Sequence, residues 1–269
     1  MPGLSSVVHH FGADDGSADP AAAAALAAFA SGTGTEHAAL TSLASVRLLV
    51  PVVAATAEDS GDRAPAGDLA PAGGRVPADD RAPAGGRAPA GHRLPGGNHA
   101  EKASEMSIPT LIGTDGRPAV PAFTCLDALV RWRPGARPVP VQASSVWQSA
   151  VADSCAVVLD IAGPVPLAID GARLAALAGG QAVPRPHQDP DVLAELTAIV
   201  AGQPAIDWAR LADGGTDGDL AIELAFAPGH AGSADELARL AGTALLARLG
   251  GRLRRGIKVV ISPPPSASG

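Results

Sequence analysis

Residues 106–141, MSIPTLIGTDGRPAVPAFTCLDALVRWRPGARPVPV, carry a hairpin, a helix and a strand within one short stretch. Asp115-Gly116 lies between two short apolar runs, and this pair tolerates the positive φ that tight hairpins demand, so IPTLIGTDGRPAVPAF reads as a β-hairpin. Thr124 stands ahead of LDALVRW as a helix cap, which predicts a short helix over Leu126–Trp132 closed by Arg133-Pro134. RPVPV beyond it reads as extended. With the elements on either side, this order of strands and helices predicts an α+β fold whose N-terminal domain has a mixed sheet and flanking helices.

Upstream, RLLVPVVAA from Arg47 is a continuous apolar run whose β-branched content fits a buried strand, with Pro51 indicating an edge position or a bulge. Asp19-Pro20 is a helix start, Asp accepting orphan amide protons and Pro sitting where no donor is needed. That helix runs through AAAAALAAFA, and a second covers Glu36–Leu43. Residues 1–18 read as a loose tail. Between the strand and the hairpin, prolines at 65, 71, 77, 83, 89 and 95 mark imperfect copies of Arg-Ala-Pro-Ala-Gly-Gly. A β-helix of that period needs an aliphatic residue in every turn, and only Leu69, Val76 and Leu94 are present, so residues 57–104 are expected to form a disordered insert.

Downstream, Ser144–Ala152 reads as a helix, Ala156–Ile161 and Leu167–Ile169 as strands, and Ala172–Leu177 as a helix ending at Gly179-Gly180. The domain so defined spans residues 19–180, and residues 181–188, with Pro184 and Pro186, read as a linker. Asp189-Pro190 repeats the capping device and starts a helix with Leu193, Leu196 and Val200 on one face. AIDWARL and LAIELAF are strands joined by DGGTDGD. Ser233 and Glu236 form a capping-box pattern ahead of a helix with Leu237, Leu240, Ala241, Ala244, Leu245 and Leu249 along one stripe. IKVVI from Ile257 is a last strand. Residues 189–262 thus read as a small helix-strand-strand-helix-strand domain, followed by a tail at 263–269.

The chain of 269 residues is 46% apolar, with three Trp, four Phe and no Tyr, so its cores should be aliphatic. A net charge of -7 argues against general affinity for nucleic acid or anionic membrane, both of which need a clustered positive field. Cys125 and Cys155 match no metal or redox spacing and are expected to be buried reduced thiols. The opening residues lack a basic region with a continuous apolar run, and no stretch has the length of a membrane span, so a cytoplasmic location is expected.

Three ordered phrases carry a family resemblance: RLLVPVVA at 47–54, the 106–141 stretch, and VVLDIAGPVPLAIDGARLAALAGG at 157–180. The most telling parts are PAFT at 121–124 and Arg131-Trp132-Arg133-Pro134, with DPAAAAAL from Asp19. Together they resemble the SseB N-terminal domain of actinobacterial proteins, over roughly residues 12–180 apart from the insert. The resemblance implies no catalytic residues, cofactor or substrate. The chain departs from the pattern at Cys125, where serine is more usual, and in its insert.

Catalytic signatures are missing from the sequence: no P-loop, no dinucleotide fingerprint, no G-x-S-x-G elbow and no S-x-x-K pair. Of the seven histidines only His37 falls in a predicted helix, so no metal site is expected. Phe123, Thr124, Arg131, Trp132 and Arg133 are the candidate ligand or partner surface, with Trp132 a ring platform flanked by two cations. Its competing role is to anchor a short helix on the sheet. Trp147 and Trp208 are expected in the core. Arg248, Arg252, Arg254, Arg255 and Lys258 form the one basic cluster, read as cations complementing a helix C-terminus. The leading functional reading is a non-enzymatic cytoplasmic interaction or regulatory module with a protein partner and no cofactor. Its rival is a small-ligand binder or enzyme with a site at the domain joint near His187 or around Trp132 and Cys125.

Overall fold

The computed structural model describes residues 14–55, 105–114, 116–230 and 233–262, and the expected insert and C-terminal tail lie outside these. Local signals place the first elements. The Asp19 carboxylate accepts from the amides of Ala21 (3.0 Å) and Ala22 (2.9 Å) to open α1 (Pro20–Ala30), and Thr35 caps α2 (Glu36–Leu43). Residues 14–18, expected in a loose tail, are tied down. Asp14 forms a salt bridge to Arg47 at 2.7 Å, and the Gly16 carbonyl accepts the Leu126 amide at 2.8 Å.

Two sheets share the N-terminal part. In one, β1 (Arg47–Ala55) lies between β2 (Glu105–Ser107) and β5 (Arg137–Gln142), both antiparallel to it. In the other, the order is β3 (Leu111–Ile112), β4 (Pro118–Ala122), β6 (Ala156–Leu159), β7 (Leu167–Ile169), with β4 and β6 parallel and the outer pairs antiparallel. The β3–β4 turn carries Gly116 at φ +80°, as the hairpin reading requires. Leu49 and Phe123 join the sheets by exchanging both backbone hydrogen bonds, at 2.8 and 2.9 Å.

That exchange explains the prolines. A residue in an antiparallel ladder turns its N–H and C=O to one side, so Leu49, and with it Pro51, face away from β5. Their partners on β5, Pro140 and Pro138, face its open edge. No ladder bond to β5 is lost, and prolines blunt an edge strand. Pro51 is therefore accommodated in a central strand, not at the expected edge, opposite the gap between the Phe123 bridge and the start of β2 pairing at Val53.

Alternate residues of β1 serve two cores, as the period of a strand dictates. Leu48 and Val50 face the main core with Phe29, Leu40, Leu43, Trp147 of α4 (Ala143–Ala152), Ile169 and Leu177 of α5 (Gly171–Ala178). Leu49 faces a smaller cluster with Phe123 and Leu129 of α3 (Leu126–Trp132). A third cluster belongs to the C-terminal part, where α6 (Pro190–Val200) and α7 (Ala234–Leu249) pack on the sheet β10 (Ile257–Ile261), β9 (Leu220–Phe226), β8 (Ile206–Ala212). β10 is parallel to β9 across α7, and β8 is antiparallel to it. Mixed sheets with flanking helices make the chain α+β, as expected.

Several local readings are corrected. α3 is capped by no side chain: Cys125 occupies the N-cap, and the Thr124 hydroxyl turns instead to Asp160. The capping box ahead of α7 does not close, because the Ser233 hydroxyl donates to the His230 carbonyl at 3.1 Å. Leu193 (51% exposed) and Leu240 (49%) face outward, while Val192 and Leu196 and then Ala238, Ala241, Leu245 and Leu249 are buried. Stripes one residue apart satisfy the same helical period, and the sheet beneath selects between them. Trp208 is 37% exposed because the β8–β9 register shifts between Ile206 and Trp208, and an extra residue in a strand turns the side chains beyond it to the opposite face. Cys125 and Cys155 are free but half-buried.

Candidate functional site at the joint

The predicted surface around Trp132 divides. Phe123 is fully buried with its ring 5.4 Å from that of Trp132, and Thr124 is 7% exposed. The Thr124 amide and hydroxyl donate to the two oxygens of Asp160, at 2.8 and 2.6 Å. Burial pushes the Asp160 carboxyl above the ordinary carboxylate range, against the pull of those two donors. Asp160 also sits at φ +48°, so these bonds hold a backbone turn at the end of β6. Trp132 and Arg133 are half-buried and Arg131 is exposed. The Phe123–Trp132 pair packs in the smaller apolar cluster with Leu49 and Leu129, and Cys125 lies at its margin.

The polar groups converge instead on the joint between the N-terminal part and the C-terminal helices and sheet. Glu36, in the first turn of α2, is 3% exposed and accepts from Arg173 of α5 and from Arg252 Nε at 3.1 Å. Arg252 Nη2 also donates to Asp189 at 2.5 Å, and Asp189, completely buried, caps α6 through the Asp191 amide at 2.9 Å. Arg173 reaches Asp170 at 2.6 Å, which Arg117 meets at 2.8 Å. Burial opposes the charge of Arg252, but the Glu36 and Asp189 carboxylates outweigh it and raise the guanidinium further above its usual range. Burial alone would raise Asp170, but the Arg173 and Arg117 guanidiniums outweigh it and hold its carboxyl below the ordinary range.

A second link crosses the joint beside this network. Asp191 of α6 accepts the Ala172 amide at 2.7 Å, capping α5 from a neighbouring helix. Gly171 makes that possible: at φ +54°, a Cβ there would lie 2.0 Å from the Asp191 carboxylate.

Next to the network is a small cleft of about 120 Å³ built from three segments. Thr35 and His37 come from the start of α2, and Arg185, Pro186 and His187 from the connector, whose residues Pro186–Gln188 form a 3-10 turn. Asp213, Asp219 and Arg255 come from the β8–β9 loop and the approach to β10. Asp219 is 8% exposed; its Oδ2 accepts the Arg255 amide at 2.7 Å while its buried Oδ1 has no hydrogen-bond partner. Desolvation, and then Arg185, lower the His37 imidazole below the usual range. Asp213 is held below the ordinary carboxylate range by the Gly215 amide and then by His187, Arg185 and Arg255. No group of three or more metal-ligating side chains forms among the described residues.

The sequence model of the SseB protein N-terminal domain matches residues 23–176. The chain belongs to the SseB family. The match runs from α1 into α5, so it includes Thr35, Glu36, His37 and Arg173, whereas Arg185, Asp189, Asp219, Arg252 and Arg255 lie beyond it. The cleft and the ion network are thus shared between the SseB domain and the remainder of this chain. Neither the curated proteins nor the solved structures contain a match. No helix among the described residues is long and apolar enough to cross a membrane.

His187 was singled out from sequence as marking the joint, and it does line the cleft. Glu36 and Asp189 were visible only as helix-start residues, and Arg252 only as one member of a basic cluster. The signals they carry are local ones, an acidic first-turn residue for Glu36, an N-cap for Asp189, and for Arg252 a place directly after Gly250-Gly251 where a helix has just ended.

Proposed function

We propose that this SseB-family protein is a non-enzymatic interaction or regulatory module of the cytoplasm, of the actinobacterial type of the family, acting through a protein partner. The observation that carries this reading is the use made of buried charge. Glu36, Arg173, Asp189 and Arg252 pair with one another across the joint, and Asp160 is taken up by Thr124. Buried ionisable groups of an enzyme are commonly held ready for a substrate. Glu36, Arg173, Asp189 and Arg252 instead hold two α+β parts in one arrangement, as a recognition platform requires. The ribbon of Arg131, Trp132 and Arg133 remains the candidate partner surface within the SseB domain, with Phe123 and Thr124 supporting it from below.

A second reading, a small-ligand binder, is favoured by the cleft at the joint, whose walls come from both parts. The two readings are compatible, since a ligand touching both parts would bias their arrangement and so the surface offered to a partner. The experiment is affinity purification of the tagged full chain from its own cells, with mass spectrometry of bound proteins and of extracted small molecules. A reproducible protein partner, lost on Arg131→Glu, supports the first reading. A stoichiometric metabolite without any protein partner overturns it in favour of the second.

A further inference from the structure

We propose that the joint cleft recognises a small zwitterion, an α-amino acid or a compound ending in an α-amino acid headgroup. The inference rests on the ligand-binding reading of that cleft and names the chemistry it takes. The walls bring Arg185 and Arg255 together with Asp213 and Asp219, two guanidiniums and two carboxylates. An isolated oxyanion bound there would lie against two carboxylates, and an isolated amine against two guanidiniums. A ligand carrying both charges a few bonds apart meets complementary groups at each end.

The unsatisfied valences point the same way. Asp219 Oδ1 is buried without a donor, and a buried carboxylate oxygen left unpaired is costly. A ligand ammonium supplies that donor. Arg185 is exposed, its backbone carbonyl accepts the Gln188 amide at 2.8 Å, and its guanidinium donates no hydrogen bond or salt bridge among the described residues, so the fork is available to a carboxylate. His37 and His187 stand beside it as further polar contacts. Because desolvation and Arg185 keep His37 neutral near pH 7, it adds no net positive charge to the walls. The cleft is small, about 120 Å³, and open to solvent, so it suits a headgroup whose remainder extends outside.

The test is chemical-shift or thermal-shift titration of the full chain with each of the common L-amino acids, and with acetate, methylammonium and inorganic phosphate as single-charge probes. Saturable binding of at least one amino acid, with acetate and methylammonium ineffective and with affinity lowered about tenfold or more by Arg185→Ala, is the expected result. The exposed position of Arg185 makes that variant safe for folding, and Asp219→Asn provides a second one that keeps the acceptor for the Arg255 amide. Phosphate or acetate binding that is abolished by Arg185→Ala, with no amino-acid response, overturns the zwitterion assignment while leaving the cleft as a ligand site. No response to any probe overturns both. Amino-acid binding unchanged in both variants places the site elsewhere and overturns the proposal.

Discussion

Arg252 and Arg210 are both arginines of the C-terminal part paired with glutamates, yet they live in different physical settings. Arg252 is 14% exposed and bridges Glu36 (3%) and Asp189 (0%), whereas Arg210, on the outer face of β8, is 67% exposed and pairs with Glu223 across the strand. The first pair has lost its water and survives because every charge has a partner. The second keeps its water and gains little from the partner. The joint is consequently where single substitutions should matter most, and the sheet face is where they should matter least.

The largest effect is expected from Arg252→Ala. It strands the Asp189 carboxylate and leaves Glu36 with Arg173 alone, and removing one partner of a buried ion pair costs about 3–5 kcal/mol. Urea unfolding should show a midpoint shifted down by a corresponding amount, together with easier proteolysis of the connector around Arg185. A stability within about 1 kcal/mol of wild type, the value of an exposed pair, would mean that water reaches the joint and that the network is not what holds the parts together.

Why the joint escaped the sequence reading is clear from its chemistry. The caps at Asp19 and Asp189 and the turn at Gly116 depend on neighbours within a few residues, and all of these were legible. The partners of Glu36 are 137 and 216 residues away, and nothing in the local pattern of any of the three names the others. The same limit applies to Thr124. A threonine before an apolar helix is a cap by local rules, but Asp160, 36 residues on, offers a buried carboxylate and wins. The five-cation cluster at 248–258 shows the cost of reading proximity as common purpose. Arg248 pairs with Glu195, Arg252 is in the network, Arg254 stands over the Phe29 ring, Arg255 braces the β8–β9 loop and Lys258 meets Asp217 at the surface. For the site, His187 was legible as a joint marker, whereas for Trp132 both a ligand platform and an anchor of the short helix stood open, because a helix face cannot be oriented until the strand beneath it is known.

The Thr124–Asp160 pair falls next, since its carboxylate has neutral partners only. Thr124→Val removes the hydroxyl donor to a buried oxygen and should cost about 1–3 kcal/mol. Its pH behaviour contrasts with the joint. Asp160 is raised in the folded state, so the native protein holds its proton longer than the unfolded chain. Its contribution is full below about pH 3.9, the unfolded value, and is lost as pH rises through the folded value. Asp170 is lowered, so its contribution is present above about pH 3.9 and is lost as pH falls through the folded value. Relative to wild type, Asp160→Asn should therefore gain stability as pH rises from about 4, and Asp170→Asn should lose its disadvantage over the range below that. Parallel pH profiles for the two variants, measured against wild type, would contradict the assigned directions.

Arg254→Ala tests a weaker contact across the same boundary. The guanidinium lies 5.4 Å from the Phe29 ring centroid, and an exposed cation–π contact contributes about 0.5–1 kcal/mol. A fall in melting temperature much smaller than that of Arg252→Ala, and additive with it, is expected if the two contacts act separately. Strong non-additivity would mean that loss of the buried network has already separated α1 from the C-terminal part.

Arg210→Ala should have the smallest effect, about 0.2–1 kcal/mol, because the pair competes with water and restrains a long side chain. Salt provides the sharper discrimination. At about 1 M ionic strength the screening length falls to roughly 3 Å, which weakens exposed pairs and reaches buried ones much less. The difference between wild type and Arg210→Ala should vanish under those conditions, while that between wild type and Arg252→Ala persists. If both differences shrink together, the two arginines occupy equally wet sites and the contrast between joint and sheet face fails. If neither shrinks, Arg210 contributes through the apolar contact of its side chain with Trp208, whose ring lies 5.6 Å from its guanidinium carbon, and not through its charge.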